Sequence, residues 1–205
     1  MHHVAGMPYR PRTPLSLSAR ARRKTLRHLG VAVIGLALAA PPAAADVVPV
    51  KNAELRIEEG DLILSAEFGL TLTPSLEEAL QKGIPLYFTV EFELLRARWY
   101  WLDEKIAEWS NTYRVSYSAL TQKYRVASGP LGQAFESLEE VERFIGRVAS
   151  RPVGRADAVA KGGRYEAAIR VKLDVNQLPK PFQVNALASR EWQLASDWHR
   201  WGYSP

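Results

Sequence analysis

The chain has 205 residues, 27 Lys and Arg against 22 Asp and Glu for a formal charge of +5, and no cysteine. Without thiols it has no disulfides, no thiol catalysis and no cysteine-held metal, so packing alone must hold it. A positive charge ordinarily raises nucleic acid as a partner, but here the charge is concentrated at one end.

Seven basic residues and no acid (Arg10, Arg12, Arg20, Arg22, Arg23, Lys24, Arg27) lead into the apolar run Leu29 to Ala40, followed by Pro41-Pro42 and Ala43-Ala44-Ala45 before Asp46. This pattern predicts an export signal at residues 1–45, cut after Ala45. The run holds 12 residues, short of the about 20 that a membrane-spanning helix needs, so no transmembrane helix is expected after cleavage. Residues 46–205 are expected as a single soluble domain in the periplasm. Met7 is an alternative start, and Arg22-Arg23 partly resembles a twin-arginine signal, although Thr25 stands where that motif has Phe; ordinary secretion is preferred. Taking 7 basic and 0 acidic residues from 27 and 22 leaves 20 and 22, a formal charge of −2 on residues 46–205. Nucleic acid thereby loses its support, because phosphate binding needs a concentrated positive face.

Past the signal, period-two alternation dominates. Ala53, Leu55 and Ile57 alternate with polar residues up to a tight turn at Glu59-Gly60-Asp61. Leu62, Leu64, Ala66, Phe68, Leu70 and Leu72 then share one face of a second strand. Thr73-Pro74-Ser75 opens a short helix with Leu76, Ala79 and Leu80 inward and Gly83 as its stop. Leu86, Phe88, Val90, Phe92 and Leu94 mark a longer strand. Its apolar parity then moves to Leu95, Ala97, Trp99 and Trp101, which predicts a β-bulge near Leu94-Leu95.

Trp109, Tyr113, Val115, Tyr117 and Ala119 form the next alternating set, and residues 124–127 pair back after a turn at 120–123. Ser137 and Glu140 make a capping box before a helix with Leu138, Val141, Phe144, Ile145 and Val148 on one stripe. Ala167, Ile169, Val171, Leu173 and Val175 alternate in another strand, and Trp192, Leu194, Ser196 and Trp198 close the pattern. Some seven antiparallel strands with two or three short helices predict a mainly β fold, a single antiparallel β-sandwich of immunoglobulin-like architecture.

Residues for chemistry are scarce. His199 is the one His outside the signal, and no Gly-x-Ser-x-Gly elbow accompanies it. It reads as exposed or packed on an aromatic ring. Zinc needs three or four nitrogen or sulfur ligands, so no metal and no cofactor are expected. Glu91 and Glu93 share a strand face about 7 Å apart, nearer the inverting than the retaining spacing for sugar hydrolysis, yet that face is the solvated one. Asp103-Glu104 has Lys105 beside it as a plain partner, and Asp174 or Asn176 reads as a turn cap rather than part of a calcium loop.

Arg96, Arg98, Trp99, Tyr100 and Trp101 form the candidate binding segment. Guanidinium groups beside Trp and Tyr suit a sugar ring, an acidic group or a protein hot spot. The plainer reading puts Trp99 and Trp101 in the core.

Arg98-Trp99-Tyr100-Trp101, the stretch Leu173-Asp174-Val175-Asn176-Gln177-Leu178-Pro179-Lys180-Pro181 and the tail from Val184-Asn185-Ala186-Leu187 to Trp192 resemble an uncharacterised proteobacterial exported family. It is known as a domain of unknown function, with members often labelled proline-rich signal peptide proteins, and the resemblance covers about residues 47 to 202. It implies no activity and no site residues. Its members are often encoded beside a membrane sensor kinase, which implies an envelope protein, a sensor ectodomain among them, as partner. The leading expectation is therefore a non-enzymatic, exported interaction module. A cell-wall or polysaccharide binder is the second reading, and a carboxylate-dependent envelope hydrolase the third.

Overall fold

The computed structural model describes residues 48–96, Arg98 and residues 103–205, with backbone only at Asn185, Leu187 and Ala188. The expected signal at 1–45, together with Ala97, Trp99, Tyr100 and Trp101, lies outside the described residues.

The described residues form two antiparallel sheets and three short helices. β1 (Val50–Glu58), β2 (Asp61–Phe68) and β7 (Arg147–Arg155) form a three-stranded sheet in the order β1-β2-β7. The larger sheet contains β3 (Leu86–Arg96), β4 (Glu104–Ser118), β5 (Lys123–Ser128), β6 (Leu131–Phe135), β8 (Tyr165–Leu173) and β9 (His199–Tyr203), in the order β6-β5-β4-β3-β8-β9. The helices are α1 (Pro74–Gln81), α2 (Leu138–Ile145) and α3 (Lys180–Ala188). This is the mainly β, two-sheet, sandwich-like class that the alternation predicts.

The first hairpin turns as expected. Glu59 and Gly60 have φ of 51° and 89°, the pair of positive values that a two-residue type I′ loop requires. Leu62, Leu64, Ala66 and Phe68 are buried on the inner face of β2. The strand stops at Phe68, however, because Gly69 turns away to donate its N–H to the Pro49 carbonyl. A side chain at Gly69 would meet Pro49 at 2.9 Å. Leu70 and Leu72 are buried outside any strand, so their apolar character marks the core and not a longer β2.

β3 is the central strand. Phe88, Val90, Phe92 and Leu94 pair across β8 with Leu173, Val171, Ile169 and Ala167, and all eight are buried in one cluster with Leu62, Leu64 and Phe68 of the smaller sheet. The bulge is at the predicted level but in the neighbouring strand: Leu94 pairs with Ala107 and Leu95 with Lys105, leaving Ile106 of β4 as the extra residue. β3 itself runs on past β8 without a shift. Arg96 therefore keeps the inner parity, at the end of the row above Tyr165.

The Thr73 hydroxyl accepts the Leu76 N–H at the start of α1, and the Ser137 hydroxyl accepts the Glu140 N–H at the start of α2. The reciprocal half of the expected capping box is displaced by one residue, since Glu140 takes the N–H of Glu136. α2 buries Val141 and Ile145, while Val148 belongs to β7 and Phe144 stays 39% exposed.

Substituting Phe92→Ala should cost about 3–5 kcal/mol of stability, because it empties the fully buried centre of the core. Leu131→Ala, at a side chain 77% exposed, should stay within about 0.5 kcal/mol of the parent. Urea unfolding of both variants checks the assignment of centre and rim.

Candidate functional site

Of the five sequence-predicted site residues, Arg96 and Arg98 are described. Arg96 Nη2 donates to the Tyr165 hydroxyl at 3.1 Å, its guanidinium lies 5.3 Å from the Tyr165 ring centre, and Nη1 is 3.4 Å from Glu104 Oε2. Arg98 Nη2 approaches the same Glu104 oxygen at 2.5 Å, and its backbone N–H donates to Asp103 Oδ1. Burial pushes the Tyr165 hydroxyl up, but two donors, the Ala160 N–H and Arg96, hold it below the ordinary tyrosine value. Both arginines thus have Glu104 as an acid partner within the chain, and Arg96 the Tyr165 hydroxyl as well.

The plain pairing of Asp103-Glu104 with Lys105 does not form. Consecutive strand residues point to opposite faces, so Lys105 bonds Glu93 and approaches Glu108, while Glu104 serves the two arginines.

Glu91 and Glu93 sit on the outer face of β3 and are tied to different cations. Glu91 meets Arg170 at 2.5 Å and Lys172 at 2.7 Å, and Arg170 lies 4.4 Å from the Trp198 ring centre. Partial burial pushes the Glu91 carboxyl up, but the bonds from Lys172 and Arg170 more than offset it and hold the group below its ordinary value of 4.5. A proton donor for glycoside cleavage needs the opposite shift.

Asp174 caps its turn: Oδ1 accepts the Asn176 N–H and Oδ2 the Gln177 amide. His199 is exposed on β9 with its ring 5.7 Å from that of Trp201. Among the described residues no three His, Asp or Glu side chains stand close enough to share a metal ion.

A broad concave surface lies elsewhere, between inner-face positions of β4 to β6 and the β7 edge of the smaller sheet with α2. Trp109, Asn111 and Tyr113 of β4 and Leu131 and Gln133 of β6 form its floor, and Phe144 of α2 with Arg151 of β7 forms the opposite wall. It continues into a cavity of 760 Å³ bounded also by Phe135, Arg143 and Arg147. Phe144 stands edge-on to Tyr113 at 5.9 Å and 5.1 Å from Phe135, and Arg151 lies 5.9 Å from the Trp109 ring centre. Among the described residues, Arg143, Arg147 and Arg151 make no ion pair. Sequence reasoning missed this groove, since Trp109 and Tyr113 have core parity and Phe144 lies on the apolar stripe of α2. The one available signal was the Arg143, Arg147, Arg151 series at intervals of four.

The Glu91 pairing has a definite pH signature. A carboxyl held below its unfolded value contributes stability that is complete above about pH 4.5 and lost as pH falls through the folded value. Glu91→Gln should therefore lower stability at neutral pH and flatten the acid limb of a stability–pH curve. A variant with the parent's acid limb would refute the pairing.

No curated protein and no solved structure matches the chain. A family model does match, across residues 45–202 and so over most of the sequence, and the chain accordingly belongs to the family described as "Domain of unknown function (DUF4390)".

Proposed function

We propose that residues 1–45 direct export to the periplasm, where the domain acts as a non-enzymatic binding module for another envelope protein, a membrane sensor ectodomain being the partner that the family resemblance suggests. The observation that carries this reading is the groove between β4–β6 and α2–β7. It combines the partly exposed rings of Trp109 and Phe144 with arginines that make no ion pair among the described residues, the residue types that dominate protein hot spots. Glu91 is committed to Arg170 and Lys172, while Glu142, whose carboxyl burial pushes up, accepts the Leu72 N–H and makes no ion pair among the described residues. Arg96 and Arg98 are likewise engaged by Glu104 and Tyr165. This moves the preferred contact surface away from the segment that carries Arg96 to Trp101.

The partly exposed ring of Trp109 also suits a polysaccharide, whose rings stack on aromatic faces. Quenching of Trp fluorescence by cell-wall glycan fragments, lost in Trp109→Ala, would favour that second reading.

Pull-down from an envelope extract tests the first. The parent protein should retain a defined partner, and combining Trp109→Ala with Phe144→Ala should reduce recovery about tenfold or more, as loss of two central aromatic anchors does. Combining Arg98→Ala with Tyr100→Ala should leave recovery unchanged. The reverse pattern would return the site to the Arg96–Trp101 segment.

A further inference from the structure

Each sheet edge exposes backbone N–H and C=O groups, and folded proteins blunt such edges with charge, proline or irregularity. Among the described residues, three of the four edge strands are blunted. β1 carries Lys51, Glu54, Arg56 and Glu58. β7 carries Pro152, a left-handed Ser150 and two shifts of register. β9 carries His199 and Arg200. The fourth, β6, reads Leu-Gly-Gln-Ala-Phe, with no charge and no proline, and four of its five residues are exposed.

This unguarded edge borders the groove. β6 pairs with β5 from Ser128↔Leu131 to Tyr124↔Phe135, and no described strand pairs with its other side. Alternation along an antiparallel ladder leaves every second residue of β6 with its N–H and C=O directed outward. Gln133, Ala134 and Phe135 of β6 line the same 760 Å³ cavity as Arg143, Arg147 and Arg151.

From this juxtaposition we propose that β6 captures an extended, acidic segment of the partner protein as an added strand. The partner's alternate side chains enter the groove, apolar ones onto Phe144 and Trp109 and acidic ones onto Arg143, Arg147 and Arg151. The proposal rests on reading the groove as a protein-binding surface and names the chemistry of what it binds. Strand addition supplies affinity through the backbone and leaves selectivity to alternate side-chain sites. Five residues of β6 extend about 17 Å, enough for two or three inward side chains of the partner. A second copy of this chain is disfavoured as the occupant, because two grooves meeting would bring two sets of unpaired arginines together.

The test uses the purified protein and a fluorescent peptide of about eight residues, an extended length of the kind taken up by strand addition, with Glu and Phe taking turns at every second position so that both fall on one face, and Thr between them. Anisotropy at low salt should show binding, and the same peptide with Lys in place of Glu should bind about tenfold more weakly or worse. Combining Arg143→Glu, Arg147→Glu and Arg151→Glu should invert that preference. Two further probes need no protein variant, so the test stands even if the triple variant fails to fold. N-methylation of one alternate set of peptide amides should abolish binding and methylation of the other set should not, because only one edge of the peptide faces β6. Equal effects of the two sets would overturn strand addition. Absence of binding by the Glu peptide, in a protein whose envelope partner is still lost on Trp109→Ala with Phe144→Ala, would overturn the capture mode and leave the binding reading intact. A dimer in sedimentation that dissociates on Leu131→Asp would overturn the proposal in favour of self-pairing.

Discussion

Three strands cannot cover six. The inner row of the large sheet runs from β6 to β9, and the β1-β2-β7 sheet lies over only part of it, so Phe88, Val90, Phe92 and Leu94 are sealed while Trp109 and Asn111, at the same parity on the next strand, are not. Gly154 of β7 comes close to Ala107 of β4, where an added Cβ would sit 3.1 Å away, which marks where the two layers meet. α2 fills part of the remaining space with Val141 and Ile145 and leaves Phe144 at the rim. Aromatic side chains bury about 150–250 Å² each when fully covered, at roughly 25 cal/mol per Å². Half-covered rings are therefore surface whose burial is still available to a ligand.

Charge is distributed along the same division. On the outer face of the large sheet cations and carboxylates meet across the strands: Glu91 with Arg170 and Lys172, Glu93 with Lys105, Glu166 with Arg200. Exposed pairs of this kind contribute only about 0–1 kcal/mol each, so their main consequence is electrostatic silence over that face. The groove is the exception. Its arginines act in a domain whose formal charge over residues 46–205 is −2, and a local positive site on a net-acidic body selects its partner by position rather than by bulk attraction.

β2, β3, β4 and β8 were legible because one face of each is buried and the other wet, which writes a period of two into the sequence; β1 alternates too, although Leu55 is its one buried residue and Ile57 is 45% exposed. β6 escaped notice for the opposite reason: with Phe135 as its one buried residue, nothing distinguishes its two faces. β7 was hidden by Pro152 and by register shifts that break its alternation. α3 begins at Lys180 and has no acidic first turn, no side-chain cap and little separation of polar from apolar residues, so Pro181 in its first turn is the one start signal it carries. The groove could not be read because parity tells that Trp109 faces inward and cannot tell that the opposing sheet ends at β7, whose Arg151 covers that ring only in part. The bulge was placed at the right level and in the wrong strand, since an extra residue in either partner shifts the phase between the two.

Arginine stands beside an aromatic ring at two places on this inner row, and the contrast between them is informative. At the end of β3, Arg96 lies over Tyr165 and has Glu104 as its acid, with Arg98 sharing the same carboxylate. Charge, ring and hydroxyl are all satisfied there, and the arrangement closes the apolar row as a cap of the core. In the groove, Arg151 lies over Trp109 in similar fashion, with Arg143 and Arg147 bordering the same cavity. No ion pair forms there among the described residues: Glu140, the carboxylate lining that cavity, is committed to the backbone of Glu136, and Glu139 acts on Arg143 only at longer range. A guanidinium needs an anion or water for donors that the ring face does not satisfy. Where the chain supplies that anion itself, the feature is structural. Where it supplies the ring and the cation and withholds the acid, the complement has to come from another molecule, and the unguarded strand alongside offers that molecule a backbone to follow.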